Sequence, residues 1–339
     1  MNLTDSYLKK LLKDKAAALG FLKTGFAKVE TLTNESEHFQ KWVSLGYDAD
    51  MNWIGRNYEK RKDVRVILPE AKTVISLAYN YYTPFEHESG KPKISRYAWG
   101  KDYHKIIKKK LKELAKFIEE LGSTSSTKNS ESTITKYYID DGPVMDKAWA
   151  VRAGIGWLGK HTNVIDPENG SWIFLSEIIT NLEFDMYDEP IEDMCGKCRL
   201  CIDACPTGAI VDDYQLDANL CISYQTIENH GEIPWNISLH SWVFGCDTCQ
   251  DVCPFNANPL STDDTSFYPK ESLYVSPLRN EGAGLPAVAT AQAGGFKSKS
   301  ELEAITEEEF NTIFPDSPIK RTKYEGWKRN LSRIIDESC

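Results

Sequence analysis

Eight of the nine cysteines fall between Cys195 and Cys253, and their spacing is the most chemically informative feature of the chain. Cys195, Cys198, Cys201 and Cys205-Pro206 read C-x2-C-x2-C-x3-C-P. In two-cluster iron–sulfur proteins such a run presents three thiolates to one 4Fe-4S cube, while the fourth cysteine, before proline, crosses to the other cube. Downstream come Cys221 and then Cys246, Cys249 and Cys253-Pro254, with a 24-residue insertion between Cys221 and Cys246. The crossover rule assigns Cys195, Cys198, Cys201 and Cys253 to one cube, and Cys205, Cys221, Cys246 and Cys249 to the other. C-x2-C pairs also suit tetrahedral zinc, but two C-x3-C-P endings favour cubes. Cys339 stands apart at the C-terminus, and a solvated thiol is its plain reading.

Two adjacent cubes move single electrons, so they need a terminus that performs chemistry. The segment Gly154-Ile155-Gly156-Trp157-Leu158-Gly159 has the letters of a dinucleotide fingerprint, yet bulky Trp157 stands where a helix should open over pyrophosphate. A glycine-bearing turn is the better reading.

The elements that must carry these groups follow from periodicity. Helices are expected over 3–18, 36–45, 102–121 and 145–153, with a last one near 319–336; strands are expected over 72–80, 133–139, 162–166 and 172–179. The polar stretch 122–133 reads as a mobile loop, and 282–295 is rich in Gly and Ala. Composition separates three zones: 1–185, the cysteine-rich 186–262, and 263–339. No apolar run reaches the roughly 18 to 20 residues of a membrane span, and the N-terminus reads as an amphipathic helix rather than a signal peptide. With 50 acidic and 40 basic residues the net charge is −10. That disfavours a uniformly basic nucleic-acid binder. A soluble, cytoplasmic, monomeric protein with thiols kept for metal is the expectation.

Several segments together are similar to the epoxyqueuosine reductase family. They are Glu59-Lys60-Arg61, the stretch from Ile94 through Arg96-Tyr97-Ala98-Trp99-Gly100 to His104, Ile139-Asp140-Asp141-Gly142-Pro143, Arg152 to Lys160, Cys221-Ile222-Ser223-Tyr224, and Gly245 to Asn256. A weaker echo is Ser317-Pro318-Ile319-Lys320-Arg321. The cluster spacing alone is shared with reductive dehalogenases; the Asp140 and Arg96 segments make the match specific. Where many members carry Asn after the lysine of the Ala153-Gly154 segment, this chain has His161. It also ends before the helical-repeat extension of some members, which would shift contacts with RNA to the last helix.

The resemblance implies an α/β (α+β) fold: a nitroreductase-like domain (1–185) holding base-off cobalamin, a ferredoxin-like domain with two 4Fe-4S clusters (186–262), and a C-terminal helical segment (263–339) offering tRNA contacts. The reaction it implies is reduction of the epoxide of epoxyqueuosine in tRNA to the alkene, with two electrons, two protons and loss of water. Asp140 matches the family's proton donor, although on its own it reads as a turn residue before Gly142-Pro143. Its neighbour Asp141 is a rival carboxylate, and on an extended segment the two must face opposite ways. Arg61 matches a cofactor-contacting arginine. Ser223, Asp247 and Thr248, tied to ligands of the second cube, are candidates to touch the corrin; Ser95, Val164 and Leu175 are further pocket candidates, the last two otherwise ordinary strand core.

A tRNA substrate asks for local positive charge, and Arg56–Arg65, Lys101–Lys116 and Lys320–Arg329 are locally basic. One basic face can hold phosphates while splayed anticodon bases stack on aromatic rings, and the modified base would enter a pocket as in base-flipping enzymes. The remaining partner is a low-potential electron donor. Competing readings are a dehalogenase-like corrinoid reductase of a small molecule and a non-enzymatic two-cluster electron carrier.

Overall fold

The computed structural model describes residues 4–124, 132–275 and 295–334. Helix α1 (Asp5–Ala18) leads into β1 (Lys23–Lys28), α2 (Thr33–Ser44), α3 (Tyr58–Lys62), β2 (Thr73–Asn80) and the short β3 (Lys93–Ile94). Then come α4 (Tyr103–Thr124), β4 (Thr135–Tyr138), α5 (Asp146–Arg152), the two-residue arms β5 (Trp157–Leu158) and β6 (Val164–Ile165), and β7 (Ile173–Thr180). Strands β1-β2-β7-β4 form one sheet in that order, antiparallel throughout. Thr73 pairs with Thr180 and Asn80 with Ile173, so β2 and β7 run side by side at the centre.

Both faces of this sheet are covered. Leu8, Leu12 and Ala16 recur every four residues on α1, and Ile107, Leu111, Leu114 and Ile118 form the stripe of α4. These stripes bury Ile75, Leu77, Tyr79, Phe174 and Ile178 on one face. On the other, Trp149, Ala150 and Ala153 from α5 and the turn after it meet Val74, Ala78 and Ile179. Strand side chains alternate between faces, which is why adjacent residues of β7 belong to different cores. Close approach of α5 requires Gly25, because a Cβ there would stand 1.9 Å from the Ala153 carbonyl oxygen.

The cysteine-rich region follows with α6 (Leu200–Asp203), β8 (Ile210–Asp212), β9 (Gln215–Leu216), α7 (Ile222–Ile227), β10 (Trp242–Phe244) and α8 (Thr248–Asp251). The 24-residue insertion after Cys221 builds α7 and β10, and β10 ties the region to the preceding one by pairing in parallel with β3. A third core gathers Phe85, Ile94 and Trp99, Ile222, Leu239 and Phe244, and Phe310, Phe314, Trp327 and Leu331.

Elements differ from the sequence expectation in identifiable places. Strand β1 has no counterpart there; its Gly25 breaks the apolar alternation. α2 begins at Thr33 rather than 36, and α4 continues to Thr124 into the polar stretch. Of the strand expected over 162–166, Val164 and Ile165 pair with Leu158 and Trp157, and Asp166 forms an isolated antiparallel bridge with Gly170. The last helix is divided, a 3-10 turn at Pro318–Thr322 preceding Lys323–Arg333. Most of 122–133, most of 282–295 and Cys339 lie outside the described residues.

Trp327 anchors the C-terminal segment: it is fully buried, its ring centre 5.6 Å from that of Phe314. Trp327→Ala is expected to cost about 3–5 kcal/mol of stability in denaturant unfolding. A loss below about 1 kcal/mol would show that this segment does not unfold with the rest.

Candidate active site

The cysteines form two groups. Charge on Cys195 acts on Cys201 and Cys253, and Cys198 also acts on Cys253; Cys246, Cys221 and Cys205 act on Cys249. These are the two sets of four given by the crossover rule. Burial raises the thiol pKa of Cys246 to about 12 and that of Cys249 well above its usual value, the neighbouring thiolates adding to both shifts. Four such sulfurs ionise together only around compensating positive charge, and an iron–sulfur core supplies it. The sulfurs also have donors: Trp157 Nε1–H reaches Cys195 Sγ at 3.4 Å, and the Ala209 N–H reaches Cys205 Sγ at 3.2 Å. Cys198 alone among the eight is exposed.

Beside the second group lies a cavity of about 920 Å³. Its walls come from α2 (His38, Phe39, Trp42), from Arg61 of α3, from Tyr103, from Asp140 and Val144 through Ala148, from Ile173, Phe174 and Leu175 of β7, and from Asp213 through Leu216. Asp140 sits at φ 50°, left-handed for a residue with a Cβ, which costs roughly 1–2 kcal/mol. Tyr103 offsets this by donating its hydroxyl to Asp140 Oδ2 at 2.6 Å, a bond worth about 0.5–1.5 kcal/mol. The Tyr103 ring is itself stacked on Phe174 at 4.2 Å. Burial and then the charge of Asp140 push the phenol pKa up, so Tyr103 remains a donor. Asp141 turns away from the cavity: it pairs with Lys108 and accepts the Ile139 N–H at 3.0 Å.

Arg61 is held by the carbonyls of Ile54 (3.0 Å) and Val144 (3.1 Å). Burial lowers its pKa, and the charges of Asp146 and Asp140 oppose that effect. Leu175 is also on the cavity wall. Of the other candidates, Ser95 donates to Asp247 Oδ1 at 2.5 Å, and Asp247 also accepts the Arg96 N–H at 2.8 Å. Thr248 accepts from Cys246 Sγ at 3.3 Å, and the Ser223 N–H points at Cys221. Val164 is buried against α5 and its surroundings. None of these five is among the residues lining the cavity.

Sequence reasoning missed three residues. Lys147 opens to the cavity while enclosed by protein; its ammonium bonds the Thr162 carbonyl at 2.7 Å and feels Asp140 on one side and Cys249 and Cys221 on the other. Asp146 is on the wall and Glu177 lies behind it, fully buried. A lysine and an aspartate in a short helix, and one glutamate in an apolar strand, carry no spacing signal. His161, which replaces the Asn of many family members, is 3% exposed, and burial lowers its pKa to about 4, so it is neutral.

Residues 61–140 match the family model described as epoxyqueuosine reductase QueG, DUF1730, and residues 194–256 match the 4Fe-4S double cluster binding domain. The second match shows that the chain carries two 4Fe-4S clusters, in the region that contains the eight grouped cysteines. An epoxyqueuosine reductase of Cellulophaga algicola is 40% identical over 324 residues, covering 95% of this chain and 96% of its own. A crystal structure of an epoxyqueuosine reductase with an epoxyqueuosine-modified tRNA-Tyr stem loop superposes with a TM-score of 0.77 at 30% identity, covering 97% of this chain and 80% of that one. A Bacillus subtilis epoxyqueuosine reductase, with its catalytic aspartate loop swung out of the active site, gives the same TM-score and identity, covering 97% and 81%. Near-complete coverage in sequence and in fold, together with the two cysteine groups, shows that the chain belongs to the epoxyqueuosine reductase family.

Proposed function

We propose that this protein reduces epoxyqueuosine to queuosine in tRNA, using a base-off cobalamin in the cavity and electrons from the two clusters. The observation that carries the reading is the position of Asp140: a carboxyl held by Tyr103 on the wall of a large cavity that abuts the second cysteine group. At about 920 Å³ this cavity is near the upper end for small-molecule sites. Its apolar walls carry Arg61 and Lys147, and the buried Nε2 of neighbouring His161 has no partner. These features suit a large, flat, polar-edged cofactor. Arg61, Lys147 and Leu175 would hold it, with Ser95, Val164, Ser223, Asp247 and Thr248 acting through the loops they fix. When bound, cobalamin supplies a low-potential metal centre able to pass electrons to a carbon–oxygen bond.

The chain's own residues manage protons and position. An epoxide oxygen leaving carbon is strongly basic, and a placed acid lowers that barrier by a factor of about 10² to 10⁴. Asp140 holds the proton, and the Tyr103 hydroxyl keeps its carboxyl aimed into the cavity. Electrons enter at the first cluster, where Cys198 is exposed, and leave at the second, next to Lys147. Residues 1–185 form the catalytic domain, 186–262 the cluster domain and 263–339 a C-terminal segment that meets the RNA. In support, Arg321 of the Pro318–Thr322 turn stands 5.9 Å from the ring centre of half-exposed Trp53 and lies near enough to Asp140 for their charges to interact. Basic and aromatic groups thus converge at the side of the cavity where a base would enter. Among the described residues no helix is long and apolar enough to cross a membrane.

The test is anaerobic reconstitution with iron, sulfide and cobalamin, followed by reduction and mass spectrometry of epoxyqueuosine-containing tRNA. Conversion to queuosine is expected; none, with both clusters and cobalamin bound, refutes the reading. Asp140→Asn should lower turnover by at least about 10²-fold with cobalamin absorbance unchanged. Tyr103→Phe should give a smaller loss, because the acid remains but its left-handed backbone loses its partner; equal losses would show that Tyr103 does more than hold Asp140.

A further inference from the structure

Glu177 and Asp146 form a buried carboxyl pair that epoxide protonation by Asp140 leaves unused. On β7, Ile173, Leu175 and Glu177 share one strand face; the first two line the cavity, and Glu177 continues that face under α5. Its carboxyl is 0% exposed and adjoins that of Asp146, which is on the cavity wall. Ser76, its register partner on β2, donates to Glu177 Oε1 at 3.3 Å. Asp146 Oδ1 and Glu177 Oε2 are buried and have no hydrogen-bond donor. Two dry carboxylates cannot both ionise side by side, and one proton between them satisfies both oxygens. The other charges acting on the pair are Asp140, Arg61 and Lys147. Asp140 is the nearest negative group from outside the pair, and the single-proton state limits negative charge around it.

We propose that Asp146 and Glu177 share one proton and supply it, through Asp146, as the second proton of the reaction. The proposal rests on epoxide reduction in tRNA as that reaction. Its balance needs two electrons, which the clusters deliver, and two protons. The first, from Asp140, converts the opened-ring alkoxide to a hydroxyl. The second must accompany loss of that hydroxyl, so that the carbon–oxygen bond breaks to give the alkene and water rather than hydroxide. Asp140 is then deprotonated, and the pair is the proton source behind it; the basic leaving oxygen makes the transfer downhill. Burial raises the pKa of both carboxyls. A raised value keeps the shared proton through neutral pH and loses it as the pH climbs through that value; the two titrate as a unit.

Infrared titration of the reconstituted holoenzyme tests the shared proton directly. Read in the Asp140→Asn background, so that Asp140 contributes no carboxyl band, a deuterium-sensitive protonated-carboxyl band should persist at pH 7 and be absent once Glu177→Gln is added; its absence from Asp140→Asn alone overturns the proposal. In turnover, Glu177→Gln should be slower by about 10²-fold, with the high-pH fall of the profile displaced from its wild-type position, whereas a structural role alone would leave the profile's shape and position intact. Should Glu177→Gln fail to fold, Asp146→Asn provides the same kinetic test. Wild-type enzyme that converts no epoxyqueuosine refutes the reaction and the delivery with it, while the band still decides whether the pair holds a proton.

Discussion

Buried thiolates repel one another and lose their hydration, so each set of four cysteines is tenable only around a positively charged core. Most of the architecture serves to keep the second set dry and fixed beside the cavity. Asp247, between ligands Cys246 and Cys249, is itself buried and bonded to Ser95 and to the Arg96 N–H. The same segment carries β3, whose parallel pairing with β10 fixes the approach to Cys246, and it runs on through Trp99 to Tyr103. Tyr103 in turn holds Asp140. The loop from Cys246 to Cys249 and Asp140 are thus tied to the two ends of one stretch of packed chain, and the position of each constrains the other.

The two cysteine groups were legible because a cube demands thiols at set intervals, and intervals survive in sequence without knowledge of the fold. The sheet strands β2, β4 and β7 and the long amphipathic helices were legible for the same reason, period. Asp140 was not: an Asp-Asp-Gly-Pro run reads as a turn, and only the family resemblance separated Asp140 from Asp141. What sends the two apart is a positive φ at Asp140, together with Tyr103 and Lys108 drawing their carboxyls in different directions. Ser95 and Asp247 were each expected near the cofactor, and they hold one another. Closeness to a ligand in sequence does not determine where a side chain points. Glu177 was hidden in an apolar strand, where a single acid looks like an interruption of core rather than one half of a pair.

Net charge was equally coarse. Residues 183–213 carry nine acidic groups against Lys197 and Arg199, so much of the −10 surrounds the first cluster. Near the cavity the charges are more evenly matched: Arg321 stands over Trp53 and is paired with Glu228. Like charge keeps an anionic RNA away from the exposed Cys198, while the strong distance dependence of electrostatics in salt lets both surfaces coexist on one chain.

Electrons and protons impose different demands on the protein between source and site. An electron crosses packed protein between two clusters without a continuous polar path, so its entry point can sit at a distant surface. A proton needs donors and acceptors in hydrogen-bond reach, so its source has to be built into the cavity wall. That difference accounts for the placement of titratable groups: thiols in depth behind the cavity, carboxyls on its wall and immediately beneath it, and a phenol kept protonated by burial to aim the first of them. Lys147 stands where the two routes meet. Its side chain faces Asp140 on one side and Cys249 and Cys221 on the other, so a change of charge on either side acts on the same group.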